Sequence, residues 1–132
     1  KDIQYGPGSS YAWFSATLSG RIFFSAFRQG NGYEPWTSDG TKAGTRMLKD
    51  IAKGVPDSDP GSFERVGSWL FFVVEKDGRG QIWKTNGART FRVADRFDPN
   101  AAPPSQLTRV GQKLFFRADD GEHGTELWMW KP

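Results

Sequence analysis

Cysteine is absent from the 132 residues, so the chain builds neither a disulfide frame nor a thiolate metal centre, and its redox compartment leaves no mark on the sequence. Histidine occurs once, at His123, and one imidazole alone identifies no active site. No run approaches the roughly 20 apolar residues of a membrane-crossing helix, and no G-x-S-x-G nucleophile elbow is present. Helix caps followed by a 3.6-residue apolar period are also missing, which argues against a helical chain. Charge of one sign is scarce: 18 Lys and Arg against 15 Asp and Glu leave a net +3. The cations, among them Arg21, Arg46, Lys53, Lys76, Arg79, Arg92 and Arg109, are dispersed and interleaved with acids. A dense basic run of the kind that grips nucleic acid is therefore lacking, and no nucleic-acid partner is expected. The chain opens on Lys1 rather than methionine, as a processed product or a piece of a longer protein would.

What is present is aromatic and turn-rich. Aromatic residues make up 15% of the chain, with 16 glycines and 8 prolines, a composition that suits short strands and tight turns. Laid against itself, the chain pairs Phe23-Phe24 with Phe71-Phe72 and Phe115-Phe116, spaced 48 and then 44 residues apart. Trp36, Trp83 and Trp128 keep that period, as do Gly20, Gly67 and Gly111, and Asp2, Asp50 and Asp95. The single region 1–132 thus divides into three repeats, at about 1–48, 49–93 and 94–132. A period of roughly 40 to 50 residues with several short strands in each copy predicts four-stranded antiparallel β-propeller blades, an all-β fold.

The first copy carries EPWTSDGTKAGT, in which Glu34, Trp36, Asp39, Gly40, Thr41, Gly44 and Thr45 stand. The second copy has Gln81, Ile82, Trp83, Asn86, Gly87, Arg89 and Thr90 in their place, and the third has Glu126, Leu127 and Trp128. This signature resembles that of the ELWxxDGT repeat family of bacterial β-propeller-like proteins, with Pro35 where the family has leucine. The resemblance spans nearly the whole chain. It implies propeller blades and a secreted or cell-surface location, and it says far less about activity, because propellers carry many unrelated functions.

In each copy the first strand meets the second at the shared glycine, where φ > 0 is needed, and Asp39-Gly40 and Asn86-Gly87 mark hairpins between strands three and four. Fourth strands are expected near Thr45–Ile51 and Thr90–Asp95; the third copy yields strands at Ser105–Val110, Lys113–Ala118 and Thr125–Trp130. The second strands RIFFSA, WLFFVV and KLFFRA are apolar on both faces, so the phenylalanine pairs and the three tryptophans are expected between blades. The recurring Asp2, Asp50 and Asp95 are expected to bind backbone amides at the blade junctions. Three blades fall short of the usual four to eight, so a second copy is expected to complete a six-bladed homodimeric ring, truncation from a longer propeller being the rival.

One rim gathers the loops RQGNG, KDGRG and DDGEHG with the Pro- and Gly-rich crossings between copies. Such variable loops are where ligand contacts are expected, and aromatic faces with polar neighbours suit sugar rings. The candidate ligand residues are Tyr5, Arg28, Asn31, Tyr33, Trp69, Arg79, Glu122 and His123; Tyr11, Trp13 and Trp130 also break the repeat pattern. Asp119, Asp120 and Glu122 offer hard oxygens to Ca²⁺, but their spacing departs from the twelve-residue EF-hand loop, and a charged hairpin turn accounts for them better. No other cofactor and no catalytic residue is expected. The sequence therefore points to a non-catalytic recognition module for carbohydrate or a protein surface. The alternatives are a hydrolase with its site in the central channel, and a structural scaffold.

Overall fold

The computed structural model describes residues 1–94 and 96–131. Eleven strands and no helix are found among them, in three antiparallel sheets that do not close into a barrel. The first sheet has the order β1 (Trp13–Leu18), β2 (Arg21–Arg28), β3 (Gly32–Ser38) and β4 (Arg46–Met47). The second has β5 (Gly61–Val66), β6 (Trp69–Lys76), β7 (Arg79–Thr85) and β8 (Thr90–Ala94), and the third has β9 (Ser105–Val110), β10 (Lys113–Asp119) and β11 (Thr125–Trp130). None of this forms a helix long and apolar enough to cross a membrane.

The three sheets correspond strand for strand. Each first strand turns into its second through a glycine at positive φ, Gly20 at 72°, Gly67 at 60° and Gly111 at 61°. Each first strand also carries a register irregularity against its second, between Phe14 and Ala16, Gly61 and Glu64, and in β9 opposite Phe115 and Arg117. A bulge at this place increases the local twist of the strand.

The alternation of side chains gives the second sheet two inner faces. Leu70 of β6 clusters with Leu18 and Phe23 of the first sheet, whereas the adjacent Phe71 clusters with Leu114, Phe116 and Ala118 of the third. The second sheet is thus buried on both sides, which is why WLFFVV lacks polar alternation. Between sheets, the backbones approach chiefly through the first strands, β1 against β5 and β5 against β9.

The segments that cross from sheet to sheet fill a recurring notch. Ile51 packs on Phe72, Val74 and Trp83; Ile3 packs on the corresponding Phe24, Ala26 and Trp36; and Phe97 joins Phe116, Ala118 and Trp128. Phe97 meets Phe116 and Trp128 edge-on at ring separations of 6.0 and 6.2 Å.

Two expectations need correction. The fourth strand of the first sheet is only Arg46–Met47, because the carboxylate of Glu34 captures the amides of Ile51 and Ala52 at 3.0 and 2.9 Å and turns the chain away from β3. Phe115 and Trp128 are half-buried instead of core. Phe115 lies on the outer face of the third sheet, and no strand lies outside β11 among the described residues to cover Trp128. Asp95, the third of the recurring aspartates, falls outside the described residues. Asp50 does accept an amide, from Gly54 at 3.4 Å, together with the Asn31 side chain at 3.1 Å.

Candidate functional site

The signature residues of the first sheet are committed to the fold. Asp39 Oδ1 accepts from Thr41 N at 3.0 Å and from Thr41 Oγ1 at 2.7 Å, and its Oδ2 pairs with Arg21 at 3.1 Å. These bonds to Thr41, ahead of the Arg21 charge, hold the Asp39 carboxyl below its ordinary value. Gly44 is required beside it, because a Cβ there would lie 1.9 Å from Asp39 Oδ1. The second sheet rebuilds the turn: Gly87 N donates to Thr85 Oγ1 at 3.0 Å, as Gly40 N donates to Ser38 Oγ at 3.0 Å. Glu34 is fully buried and accepts from Ser58 Oγ at 2.7 Å besides its two backbone donors. Burial nevertheless holds its carboxyl above the ordinary value. Gln81 replaces it in the second sheet and accepts from Trp83 Nε1 at 2.9 Å, while the indole N–H of Trp36 is buried without a partner.

The sequence-predicted ligand residues part company in space. Arg28 stacks on Tyr5 at 5.0 Å and donates to its hydroxyl at 3.2 Å; Asn31 serves Asp50. Trp69 is engaged by Lys84, whose ammonium lies 4.6 Å from its ring centre, and by Phe91, edge-on at 5.3 Å. His123 Nδ1 lies 2.9 Å from Asp120 Oδ2, and Asp120 Oδ1 accepts from the amides of Glu122 and His123 at 3.0 Å each. The His123 bond, then the two amides, lower Asp120 to about 2, and Asp120 in turn raises His123. Asp119 Oδ1 accepts from Gly121 N at 2.8 Å. Asp119 and Asp120 thereby hold their own turn together, and no group of three or more His, Asp or Glu placed to hold a metal is found among the described residues. Arg79 lies apart from these, on the margin of the second sheet.

Tyr33 is brought to a cavity. Between the first and second sheets lies a cleft of about 450 Å³ lined by Trp13, Ser25 and Tyr33 on one side and by Asp59, Pro60 and Gly61 on the other. Trp13 is 69% exposed, and Ser25, its cross-strand partner, is buried. Tyr33 is fixed from both ends of its peptide unit. Its N–H donates to Asp57 at 2.8 Å, its carbonyl accepts from Ser58, and its ring packs on Phe27 at 5.4 Å. Partial loss of water, then the Asp57 and Glu75 carboxylates, raise Asp59 above its ordinary value. Its φ of +42° is a strained conformation for a residue with a Cβ.

The gap between the second and third sheets supplies the comparison. By strand register, Gly61, Val73 and Gly80 there stand where Trp13, Ser25 and Tyr33 stand in the first gap, and Pro103, Pro104 and Ser105 stand where Asp59, Pro60 and Gly61 do. That second gap is closed. A Cβ at Gly80 would meet Pro104 Cδ at 2.4 Å and Pro103 Cα at 2.8 Å. A second cavity, of about 510 Å³, is lined by the first strands through Ala16, Glu64, Arg65 and Arg109.

Of the cleft residues, the sequence named Tyr33 as a ligand contact and marked Trp13 only as a break in the pattern; Ser25 and Asp59 went unnoticed. The available signal was position-by-position difference between copies, Trp13 against Gly61 and Tyr33 against Gly80. Comparison with protein-family models, curated proteins and solved structures found no match to the chain.

Proposed function

We propose that the three sheets are successive propeller blades, that a second copy completes them to a six-bladed ring, and that the assembly recognises carbohydrate in the Trp13–Tyr33 cleft. The observation that carries the ligand assignment is the contrast between the two gaps. Six corresponding positions that pack shut in one gap form an aromatic-walled cleft in the other. A sugar ring presents an apolar C–H face and a rim of hydroxyls. Trp13 and Tyr33 offer ring surface to the face, and the Ser25 hydroxyl and Asp59 carboxylate offer partners to the rim.

Support for blades comes from the stacking of like faces and the convergence of first strands. Ile22 is 36% exposed where the corresponding Leu70 and Leu114 are fully buried, and the outer face of the third sheet exposes Val110, Leu127 and Met129. One copy thus offers both halves of an inter-blade contact, and a second copy covers them. Membership of the ELWxxDGT family and a secreted or cell-surface location rest on the resemblance of the signature and belong to the same proposal.

A glycan array followed by calorimetric titration of a hit tests the site. Trp13→Ala and Tyr33→Ala should each weaken binding about tenfold or more, which is about 1.4 kcal/mol, and Tyr5→Ala should not. A hit unaffected by both cleft substitutions overturns the assignment. Light scattering tests the ring: twice the chain mass is expected, reduced to one chain by Phe115→Asp, and a well-folded monomer at micromolar concentration overturns it.

A further inference from the structure

Along the chain the cations look dispersed, yet the fold gathers five of them at the margin of the second sheet. Lys49 and Lys53 come from the crossing after the first sheet, Lys76 and Arg79 flank the β6–β7 turn, and Arg92 projects from β8. They line two adjoining cavities of about 330 and 410 Å³ that share Lys76, Gln81 and Arg92, so the two form one groove. Asp50 and Asp77 are the acids in its wall. No carboxylate lies within salt-bridge distance of Lys53, Lys76 or Arg79 among the described residues; Arg92 is itself engaged and adds only its charge.

The first sheet shows this margin with three fewer cations, since only Lys1 and Arg28 stand there, for Lys49 and Lys76. Tyr5, Arg28, Gly32 and Met47 stand there where Lys53, Lys76, Arg79 and Arg92 stand in the second sheet. There the buried Glu34 carboxylate also occupies the position of the neutral Gln81. The substitutions at the second sheet therefore add cations and remove an anion at one place. Packing needs neither change, since the first sheet folds the same way without them.

We propose that this groove binds an acidic polysaccharide, its sulfate or carboxylate groups held by Lys53, Lys76 and Arg79. Single-stranded nucleic acid is the competing polyanion, and the aromatic rings of the groove argue against it. Trp83 is buried with Lys49 over its ring at 5.7 Å, and the one exposed ring, Phe91, already has Lys84 over it at 5.0 Å and Trp69 against it, so the groove holds no succession of open rings on which bases would stack. Asp50, in the groove wall, keeps one carboxylate oxygen, Oδ1, buried without a hydrogen-bond partner, an unmet acceptor amid the cations. The groove is separate from the Trp13 cleft, and either site can fail without the other.

The test uses the full chain and a heparin-derived hexasaccharide. Calorimetric titration at low salt should show binding that the triple substitution Lys53→Ala, Lys76→Ala, Arg79→Ala weakens by about 30-fold or more. The slope of log K against log salt should shrink by about two to three, close to one per cation removed. A control triple with the same net charge, Lys42→Ala, Lys113→Ala, Lys131→Ala, should bind as the parent does; all six side chains are at the surface, and thermal melts confirm that both triples fold. Three outcomes overturn the proposal: no binding by the parent, an equal loss in the control triple, or tighter binding of an oligothymidylate of matched charge that depends on the same three residues. Titration of Trp13→Ala with the hexasaccharide separates the sites, because the groove predicts unchanged affinity there.

Discussion

Replacing Lys84 by methionine tests the junction between the second and third sheets at its most unusual point. The ammonium of Lys84 lies 4.6 Å from the ring centres of both Trp69 and Trp130, 5.0 Å from Phe91 and 5.7 Å from Phe71. Trp69, Phe71 and Phe91 belong to the same sheet as Lys84, and Trp130 reaches it from the next. Methionine keeps the apolar stem and removes the charge, so the change isolates the attraction between ammonium and rings. One such contact contributes about 0.5–1 kcal/mol when exposed and about 2 kcal/mol when desolvated. Lys84 is half-buried, and its loss of water, which lowers its pKa, offsets part of the gain. The expected net loss is about 1–2 kcal/mol, or a fall in Tm of roughly 4–8 °C for a chain of this length. Urea denaturation of Lys84→Met, Trp130→Leu and the double variant gives the coupling across the two sheets, expected near 1 kcal/mol. A coupling within about 0.3 kcal/mol of zero, or a Lys84→Met chain more stable than the parent, would refute the claim that the ring cage holds the sheets together.

Trp83→Ala should cost about 3–5 kcal/mol in urea melts, and Trp128→Ala clearly less in the monomer because Trp128 is only half-buried; equal losses would contradict the open edge at β11. Gly44→Ala should cost about 1–3 kcal/mol by driving Asp39 off its Thr41 donors, and a parent-like melt would mean that the turn is built otherwise. Burial raises Glu34 above 4.5, so the folded chain binds its proton more tightly than the unfolded chain does. That contribution is full below 4.5 and is lost as pH rises through the folded value. The urea midpoint should therefore carry a downward component with rising pH that Glu34→Gln removes, and a pH profile unchanged by the substitution would refute it.

The strands were legible where alternation and turn chemistry agree. Ser105–Val110 and Thr125–Trp130 come out residue for residue, bounded by Pro104, Gly111 and Gly124. The fourth strand of the first sheet was not legible, because its end is decided by Glu34, a residue on another strand whose carboxylate binds amides 17 and 18 positions on. Local sequence carries no trace of such a bond. Phe115 shows the same limit from the other side. Its FF pair is identical to Phe23-Phe24 and Phe71-Phe72, yet its exposure depends on whether another sheet covers that face.

The two proposed sites lie at the far end of this gradient, because each is assembled from elements that the sequence keeps apart. The cleft takes one residue each from β1, β2 and β3 and closes them with the chain entering β5. The basic groove owes its density to antiparallel register. Lys76 and Arg79 become direct partners across a two-residue turn, and β8 brings Arg92 opposite Trp83. Spacing charges along a chain guards against a basic patch only if the chain stays extended, and in a meander of short strands positions 13 apart can lie side by side. Dispersed charge in the sequence was therefore an argument about helices and tails, and a sheet that folds back every 8 to 10 residues or so escapes it. What the sequence did hold was the difference between copies: a residue that departs from its counterparts at a fixed place in the sheet is one that the shared blade packing does not dictate, and Trp13, Tyr33, Lys53 and Arg79 all depart in that way.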